Sequence, residues 1–346
     1  MKINFNTFGL SSGGGNRVII ELANRLADRG HDVSITAITL DKFNWYGKEN
    51  IKAKLNTAFP SVITRIIRQK IQHENYLDVQ TDLLKRIIPD CDINIATFCL
   101  TVAPTVYSNK GKPFYLVQNY EPYFFKEPKW LKIANDSYDL PAIKLCVSHW
   151  LQQKTGGVYI GNGVNTEVFN QQCPFGEKEP NSVLYFYRGM PTKQDGLALE
   201  CLGKLYEKKK VKIHIIAQDN FAKKINPMFP FELHIEPSDI ELAKLYSSTR
   251  ILLFTSLFEG FGLPPLEALA CGTNVVSFPF DGNEFLVDKE NCLLGKNQDE
   301  LVSCMLELLE SDEWSIEQIS NGKKTVADHN FDKVIDRLES VFDENA

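Results

Sequence analysis

Eight cysteines (91, 99, 146, 173, 201, 271, 292 and 304) include no Cys-x-x-Cys pair, which argues against zinc-ribbon and dithiol redox chemistry. No apolar run approaches the ~20 residues that a membrane-spanning helix requires. There is no Gly-x-Gly-x-x-Gly and no glycine-rich loop followed by a Walker lysine, so the nicotinamide and P-loop readings both weaken. No stripe of Arg and Lys interleaved with aromatics occurs, which leaves nucleic acid a poor partner. Six histidines are scattered over 346 residues, and no metal site is expected. A signal peptide is lacking as well: Met1-Lys2-Ile3-Asn4-Phe5-Asn6 alternates like a strand. Most cysteines sit in apolar runs such as Lys144-Leu145-Cys146-Val147. They read as reduced core residues of a cytoplasmic protein.

What is present suits a globular chain of two domains, with 43% hydrophobic and 24% charged residues. Charge is uneven. Residues 1–164 hold 20 Lys+Arg against 14 Asp+Glu, whereas residues 165–346 hold 18 against 30. Such a change of sign separates surfaces with different partners. The first half opens as a strand near 2–8, a loop Gly13-Gly14-Gly15-Asn16-Arg17, and a helix with Val18, Ile19, Leu22, Ala23 and Leu26 at the 3.6-residue period. Gly30 ends that helix, and residues 31–38 form the next strand. Further strands are expected at 93–98, 114–118 and 143–147, with helices at 61–72, 75–88 and 148–154. The second half repeats the pattern, with strands at 182–187, 211–217, 251–255 and 274–278 and helices at 195–208, 239–248, 264–270 and 298–310. Strands alternating with helices predict an α/β chain of two doubly wound, Rossmann-like domains, 1–164 and 165–330, followed by a helix in 331–346. Ligands of such sheets bind outside the C-terminal strand ends, so the cleft between facing domains is the expected site.

The most informative string runs from Ser256 to Gly272, Ser-Leu-Phe-Glu-Gly-Phe-Gly-Leu-Pro-Pro-Leu-Glu-Ala-Leu-Ala-Cys-Gly. It leaves an apolar strand and enters a helix expected to start at Pro264 and Pro265, where a preset φ and a missing N–H cost nothing. Gly260 and Gly262 let backbone pass close to a ligand. Free amides at a helix start seat phosphate or sugar oxygens. Glu259 on the loop and Glu267 in the expected first turn can then address one ligand.

This string resembles the signature of retaining, nucleotide-sugar-dependent glycosyltransferases of family four, which have the two-domain glycosyltransferase-B fold. The resemblance implies a role for each matching residue. Arg188 and Lys193, after the first strand of the second half, hold the donor diphosphate and stabilise the charge it gains as the glycosyl bond breaks. Glu267 binds the ribose hydroxyls. Glu259 contacts the transferred sugar, with the amides of Gly260, Phe261, Gly262 and Leu263. Gly14 and Gly15 approach the diphosphate. Residues near 233–237 select the base, and the closing helix packs back across the domain junction. The donor is a nucleotide-diphosphate sugar, with no cofactor and no metal, because the Arg/Lys pair substitutes for a cation. Transfer is by a front-face route with retention.

One departure stands out. Where many members carry a histidine, this chain reads Gln118-Asn119-Tyr120-Glu121-Pro122-Tyr123, which resembles bacterial rhamnan-type transferases. Asn119, Tyr120, Glu121 and Arg17 become candidates for a saccharide or lipid-linked acceptor, with Glu121 a candidate general base. His149 reads as structural. The basic amphipathic segment 61–72 offers peripheral contact with the inner face of a membrane; a core-facing helix is the competing reading. Two rival functions stay open, a nucleotide-sugar epimerase and a degenerate sugar-nucleotide-binding protein.

Overall fold

A computed structural model describes residues 1–7, 13–37, 51–57 and 87–345, with residues 56 and 57 by backbone alone. The expected helix at 61–72, with its basic amphipathic face, and nearly all of the one at 75–88 lie outside the described residues. Tertiary contacts divide the chain into two units, Met1–Gly161 with Phe331–Ala346, and Asn162–Asn330.

Among the described residues the first unit has seven strands: β1 (Lys2–Thr7), β2 (Asp32–Ala37), β3 (Lys54–Thr57), β4 (Ile93–Ala96), β5 (Lys112–Val117), β6 (Ile143–Cys146) and β7 (Val158–Tyr159). They pair in parallel in the order β3-β2-β1-β4-β5-β6-β7. Helices α1 (Gly14–Asp28), α2 (Cys99–Tyr107), α3 (Pro128–Asp136) and α4 (His149–Thr155) connect them. The C-terminal helix Phe331–Asp343 also belongs to this unit. It buries Val334, Ile335, Leu338 and Phe342, and Phe342 meets Phe114 edge-on at 5.2 Å. Each such side chain contributes about 1.5–3 kcal/mol when fully buried. Its polar side reaches α1 and the loop beyond through Arg25–Asp332, Arg29–Glu339 and His31–Glu339, at 2.8–3.0 Å. Largely solvent-facing pairs of this kind add little stability and mainly set register.

Polar and apolar residues alternate along β1, yet Asn4 and Asn6 are as buried as Ile3 and Phe5. Burial of amides is tolerated only when every group finds a partner. Asn94 Oδ1 accepts from Asn4 Nδ2 at 3.2 Å and from Asn6 Nδ2 at 2.7 Å. Ser34 and Thr36 hydroxyls donate to Asn4 Oδ1, and Asn6 Nδ2 also donates to Thr105 on α2. A polar network thus joins three adjacent strands to a helix.

The second unit carries six strands: β8 (Ser182–Tyr187), β9 (Lys212–Ala217), β10 (Glu232–Ile235), β11 (Ile251–Phe254), β12 (Asn274–Ser277) and β13 (Leu293–Leu294). All pairs are parallel, in the order β10-β9-β8-β11-β12-β13. Five longer helices are α5 (Asp195–Lys208), α6 (Asp239–Ser248), α7 (Leu263–Ala270), α8 (Gln298–Glu310) and α9 (Asp312–Asp328). Its core joins β8, β9 and β11 to α5 and α8 through Val183, Ile213, Leu253, Leu202 and Met305. Strand order reverses between β8 and β11, the crevice where ligands of doubly wound sheets bind.

Asn94→Leu roughly keeps the branched shape of the buried side chain but removes the acceptor shared by one N–H of Asn4 and one of Asn6, which keep their bonds to Asn6 Oδ1 and Thr105. It should lower unfolding stability by about 2 kcal/mol or more, the cost of unpaired buried polar groups. Urea melts within about 0.5 kcal/mol of wild type, the range of an inert surface change, would show that the network carries no stability.

Candidate functional site

Two loops leave the C-terminal ends of β8 and β11 side by side. The β8 loop is shaped by Asp195, at the start of α5. Its Oδ1 accepts from the Tyr185 hydroxyl at 2.7 Å and the Arg188 amide at 3.0 Å, and its Oδ2 accepts from the Gly189 amide at 2.8 Å. Burial and the nearby carboxylate push the Tyr185 hydroxyl well above its usual range, so it stays a donor. Gly189 has φ +67°, and a Cβ there would strike the Phe221 ring at 2.4 Å. The Arg188 guanidinium lies 4.9 Å from the centre of the Phe186 ring.

The β11 loop is tied to the first. Thr255 Oγ1 donates to the Lys193 carbonyl at 2.7 Å, and the Leu257 amide donates to the Thr192 carbonyl at 3.0 Å. Lys193 Nζ donates to Glu259 Oε1 at 2.5 Å, and Ser256 Oγ donates to the same oxygen at 2.7 Å. Both charged side chains are mostly buried, so the pair is screened less than a surface bridge. The Glu259 backbone is held by a short parallel bridge between Phe258 and Asp281, and its amide donates to the Asp281 carbonyl at 2.9 Å. Gly282, at φ +88°, permits this approach: a Cβ would lie 1.8 Å from the Glu259 carbonyl oxygen.

Helix α7 starts at Leu263, after Gly262 in the left-handed region at φ +94°. Pro264 and Pro265 are therefore its second and third residues, and Glu267 is its fifth, one residue further in than a start at Pro264 would give. Glu267 is 2% exposed and accepts from the Tyr246 hydroxyl at 3.2 Å. Tyr246 packs on Phe186, ring centres 5.9 Å apart, and Phe186 lies under Arg188. Of the four charged residues expected here, Lys193 and Glu259 meet directly, while Glu267 and Arg188 are linked through two aromatic rings. Phe261 faces inward, against Phe285 and His329, leaving its backbone as the part that can serve a ligand.

Two supporting residues, Asp195 and Tyr246, were not singled out from sequence, and Ser256 was read only as the first residue of the string. An acid at a helix start reads as a dipole partner. Its bonds to a loop seven residues back show only in three dimensions.

The other expected residues lie in the first unit. Gly14 and Gly15 open α1, and a Cβ on Gly15 would sit 3.4 Å from Gln118 Oε1, at the end of β5. Arg17 donates its amide to the Gly13 carbonyl at 3.2 Å. Tyr120 stacks on Tyr138, ring centres 5.8 Å apart, and Lys154 lies 6.0 Å from the Tyr120 ring centre. Asn119 Oδ1 accepts from the Tyr120 amide at 2.9 Å. Glu121 departs from its expected place in an open pocket. It is 2% exposed and accepts from the Cys99 amide at 2.5 Å, at the start of α2. Burial pushes its pKa up to about 7, against the lowering effect of the Cys99 groups that donate to it. Nor are the histidines all dispersed: His214 and His234 converge with Glu232 within 4.8 Å. All eight cysteines are unpaired, and no described helix is long and apolar enough to cross a membrane.

Residues 182–311 match the family model described as Glycosyl transferases group 1. This stretch is a glycosyl transferases group 1 domain. An uncharacterized glycosyltransferase of Methanocaldococcus jannaschii is 26% identical over 221 residues, 58% of this chain and 59% of that protein. The O-antigen chain mannosyltransferase B of Escherichia coli is 34% identical over 77 residues, 22% of this chain and 20% of the relative. The matched stretches thus span less than two thirds of these relatives. Among solved structures, Anabaena HepE in complex with UDP-glucose superposes with a TM-score of 0.77 at 15% identity, covering 99% of this chain and 100% of that one. That likeness shows the glycosyltransferase-B fold. Within it, the group 1 domain contains β8, β11 and both loops.

Gly282→Ala should dislodge the Glu259 loop while leaving both sheets intact. For the transferase activity proposed below, we expect turnover to fall at least about tenfold, about 1.4 kcal/mol of transition-state stabilisation, with an unchanged far-ultraviolet circular dichroism spectrum. Wild-type turnover in that variant would show that the approach of Gly282 to Glu259 is unimportant.

Proposed function

We propose that this protein is a glycosyltransferase that moves a hexose or deoxyhexose from a nucleotide-diphosphate sugar to a glycan or lipid-linked saccharide, with retention and without a cofactor. The observation that carries this reading is the Lys193–Glu259 pair at the reversal point of the second sheet, inside the group 1 domain. A lysine ammonium has three N–H groups, of which one serves Glu259. The others can take diphosphate oxygens, so Lys193 can bridge leaving group and carboxylate. Arg188, braced on Phe186 and fixed at its backbone by Asp195, supplies the second positive charge. Together they stabilise the nucleoside diphosphate as it departs, in place of a divalent ion at that position. Glu259 positions the sugar and opposes the positive charge of an oxocarbenium-like transition state. In the front-face route the leaving phosphate accepts the acceptor proton, so Glu259 need not attack.

Glu267 and Tyr246 would hold the ribose end. The groove lined by His234, Ile235, Pro237, Glu241, Lys244 and Leu245 offers a wall for the base. The relatives named as glycosyltransferases and the solved complex with UDP-glucose support the donor class. In the first unit, the Tyr120–Tyr138 stack with Asn119 offers aromatic faces to a saccharide acceptor.

The pair yields a signature that separates catalysis from binding. Glu259→Ala frees Lys193, so the variant should bind nucleoside diphosphate as tightly as wild type or more tightly, yet turn over donor at least about 100-fold more slowly, the loss typical of one electrostatic group. Glu267→Ala should instead weaken donor binding by about 1–3 kcal/mol. Acceptor-free release of nucleoside diphosphate and calorimetric binding test both. Wild-type turnover and affinity in both variants would overturn the assignment, an isomerised donor would mark an epimerase, and binding without turnover in wild type would mark a binding protein.

A further inference from the structure

Strand β10 is an edge of the second sheet, with Glu232 opposite His214 of β9. Residues two apart on a strand share a face, so His234 projects on the same side as Glu232. There His214 Nδ1 lies 3.1 Å from His234 Nε2 and 3.4 Å from Glu232 Oε2. A tetrahedral zinc ion with N and O bonds of about 2.0–2.2 Å holds its ligand atoms about 3.3 Å apart. The two spacings to His214 Nδ1 fit edges of that polyhedron, and the third pair of ligand atoms lies within 4.8 Å.

The surrounding contacts orient the ligands as metal sites require. His214 is buried, and its Nε2 lies 2.6 Å from Glu179 Oε2. A neutral ring that donates Nε2–H to this carboxylate keeps its lone pair on Nδ1, the nitrogen facing the cluster. Lys212 Nζ then holds the outer oxygen of each carboxylate, Glu179 at 2.7 Å and Glu232 at 3.1 Å. That leaves the inner Glu232 oxygen directed at His214 Nδ1. A carboxylate oxygen facing a lone pair is unfavourable; a cation or a proton between them relieves it, while the Nδ1 lone pair can also accept from His234 Nε2–H at 3.1 Å.

We propose that His214, Glu232 and His234 form a binding site for a divalent transition ion of the zinc class, with water in the fourth position. Two imidazoles and one carboxylate suit zinc, whereas magnesium and calcium prefer an all-oxygen shell. The site lies on β9 and β10, away from the Lys193–Glu259 pair on the loops that leave β8 and β11, but it shares His234 with the groove proposed above as a wall for the base. Its consequence is mechanical. The ion pins a four-residue edge strand to β9, and with it one wall of the groove that includes His234, Ile235 and Pro237. The arrangement that competes with the ion is a doubly protonated His214, donating to Glu179 on one side and to His234 and Glu232 on the other.

Full-length protein stripped with chelator and titrated with cobalt(II) distinguishes the two. We expect one equivalent to bind with the intense visible bands of tetrahedral coordination by nitrogen and oxygen, and zinc(II) to displace it. His234→Ala and Glu232→Gln, both outside the buried core, should each weaken binding at least about tenfold. Glu179→Gln should weaken it about 10- to 100-fold, as for other partners of metal-bound histidine. Circular dichroism checks that the variants fold, and should His234→Ala fail to fold, Glu232→Gln decides. Absence of tetrahedral bands in wild type, sulfur-to-cobalt charge-transfer bands, or unchanged affinity in the folded variants would overturn the proposal.

Discussion

Everything chemical in the second unit depends on where a parallel sheet reverses its strand order. At β8 and β11 the chain leaves in opposite directions, so two loops and a helix start must share one end of the sheet. The molecule then fastens those loops to each other. Thr255 and Leu257 of one bond to carbonyls of the other, and the Lys193–Glu259 ion pair closes the gap. A carboxylate and an ammonium held together in a mostly buried place form a poor stabiliser in general, since each gives up water. The pair makes better sense as preorganised charge for a ligand that carries both an anionic and a polyhydroxyl part.

The site is rigid for reasons that lie one layer behind it. Asp195 fixes the β8 loop through three hydrogen bonds, and Gly282 lets the Asp281 strand edge close on the Glu259 backbone. Tyr246 ties the buried Glu267 to the ring under Arg188. Charged groups placed this way lose little reorganisation energy when a transition state forms, which is the main source of electrostatic catalysis. The first unit spends its polar side chains differently. Its Asn4, Asn6 and Asn94 network is wholly internal, and Glu121 serves the start of α2.

Much of this was legible in the residues. The 182–187 and 251–254 strands, α5, α6 and α8 followed from apolar periodicity and turn residues, and the Glu259–Gly272 string located the site. Other features were hidden for physical reasons. Helix α9 has a weak apolar stripe, Ile319 and Val326 among polar neighbours, so its period does not stand out. β10 is four residues long and largely exposed, with no buried alternation to mark it. Glu267 lies one residue deeper in α7 than expected because Gly262 caps the helix and Leu263, not Pro264, is its first residue. His214 and His234 are twenty residues apart and meet only through the register of two parallel strands. Glu121 follows a strand in an aromatic loop, a setting that suggests exposure; instead it is buried, with its carboxylate at the first amide of α2 and its own amide on the Tyr138 hydroxyl.

The claim that the rest depends on is that Lys193, held by Glu259, is a seat for diphosphate. The most direct measurement is a crystal structure of the full chain with a bound nucleoside diphosphate. The account predicts diphosphate oxygens at hydrogen-bond distance, about 3 Å, from Lys193 Nζ and the Arg188 guanidinium, with ribose toward Glu267. An ordered nucleotide whose phosphates lie beyond the reach of both cations would contradict it.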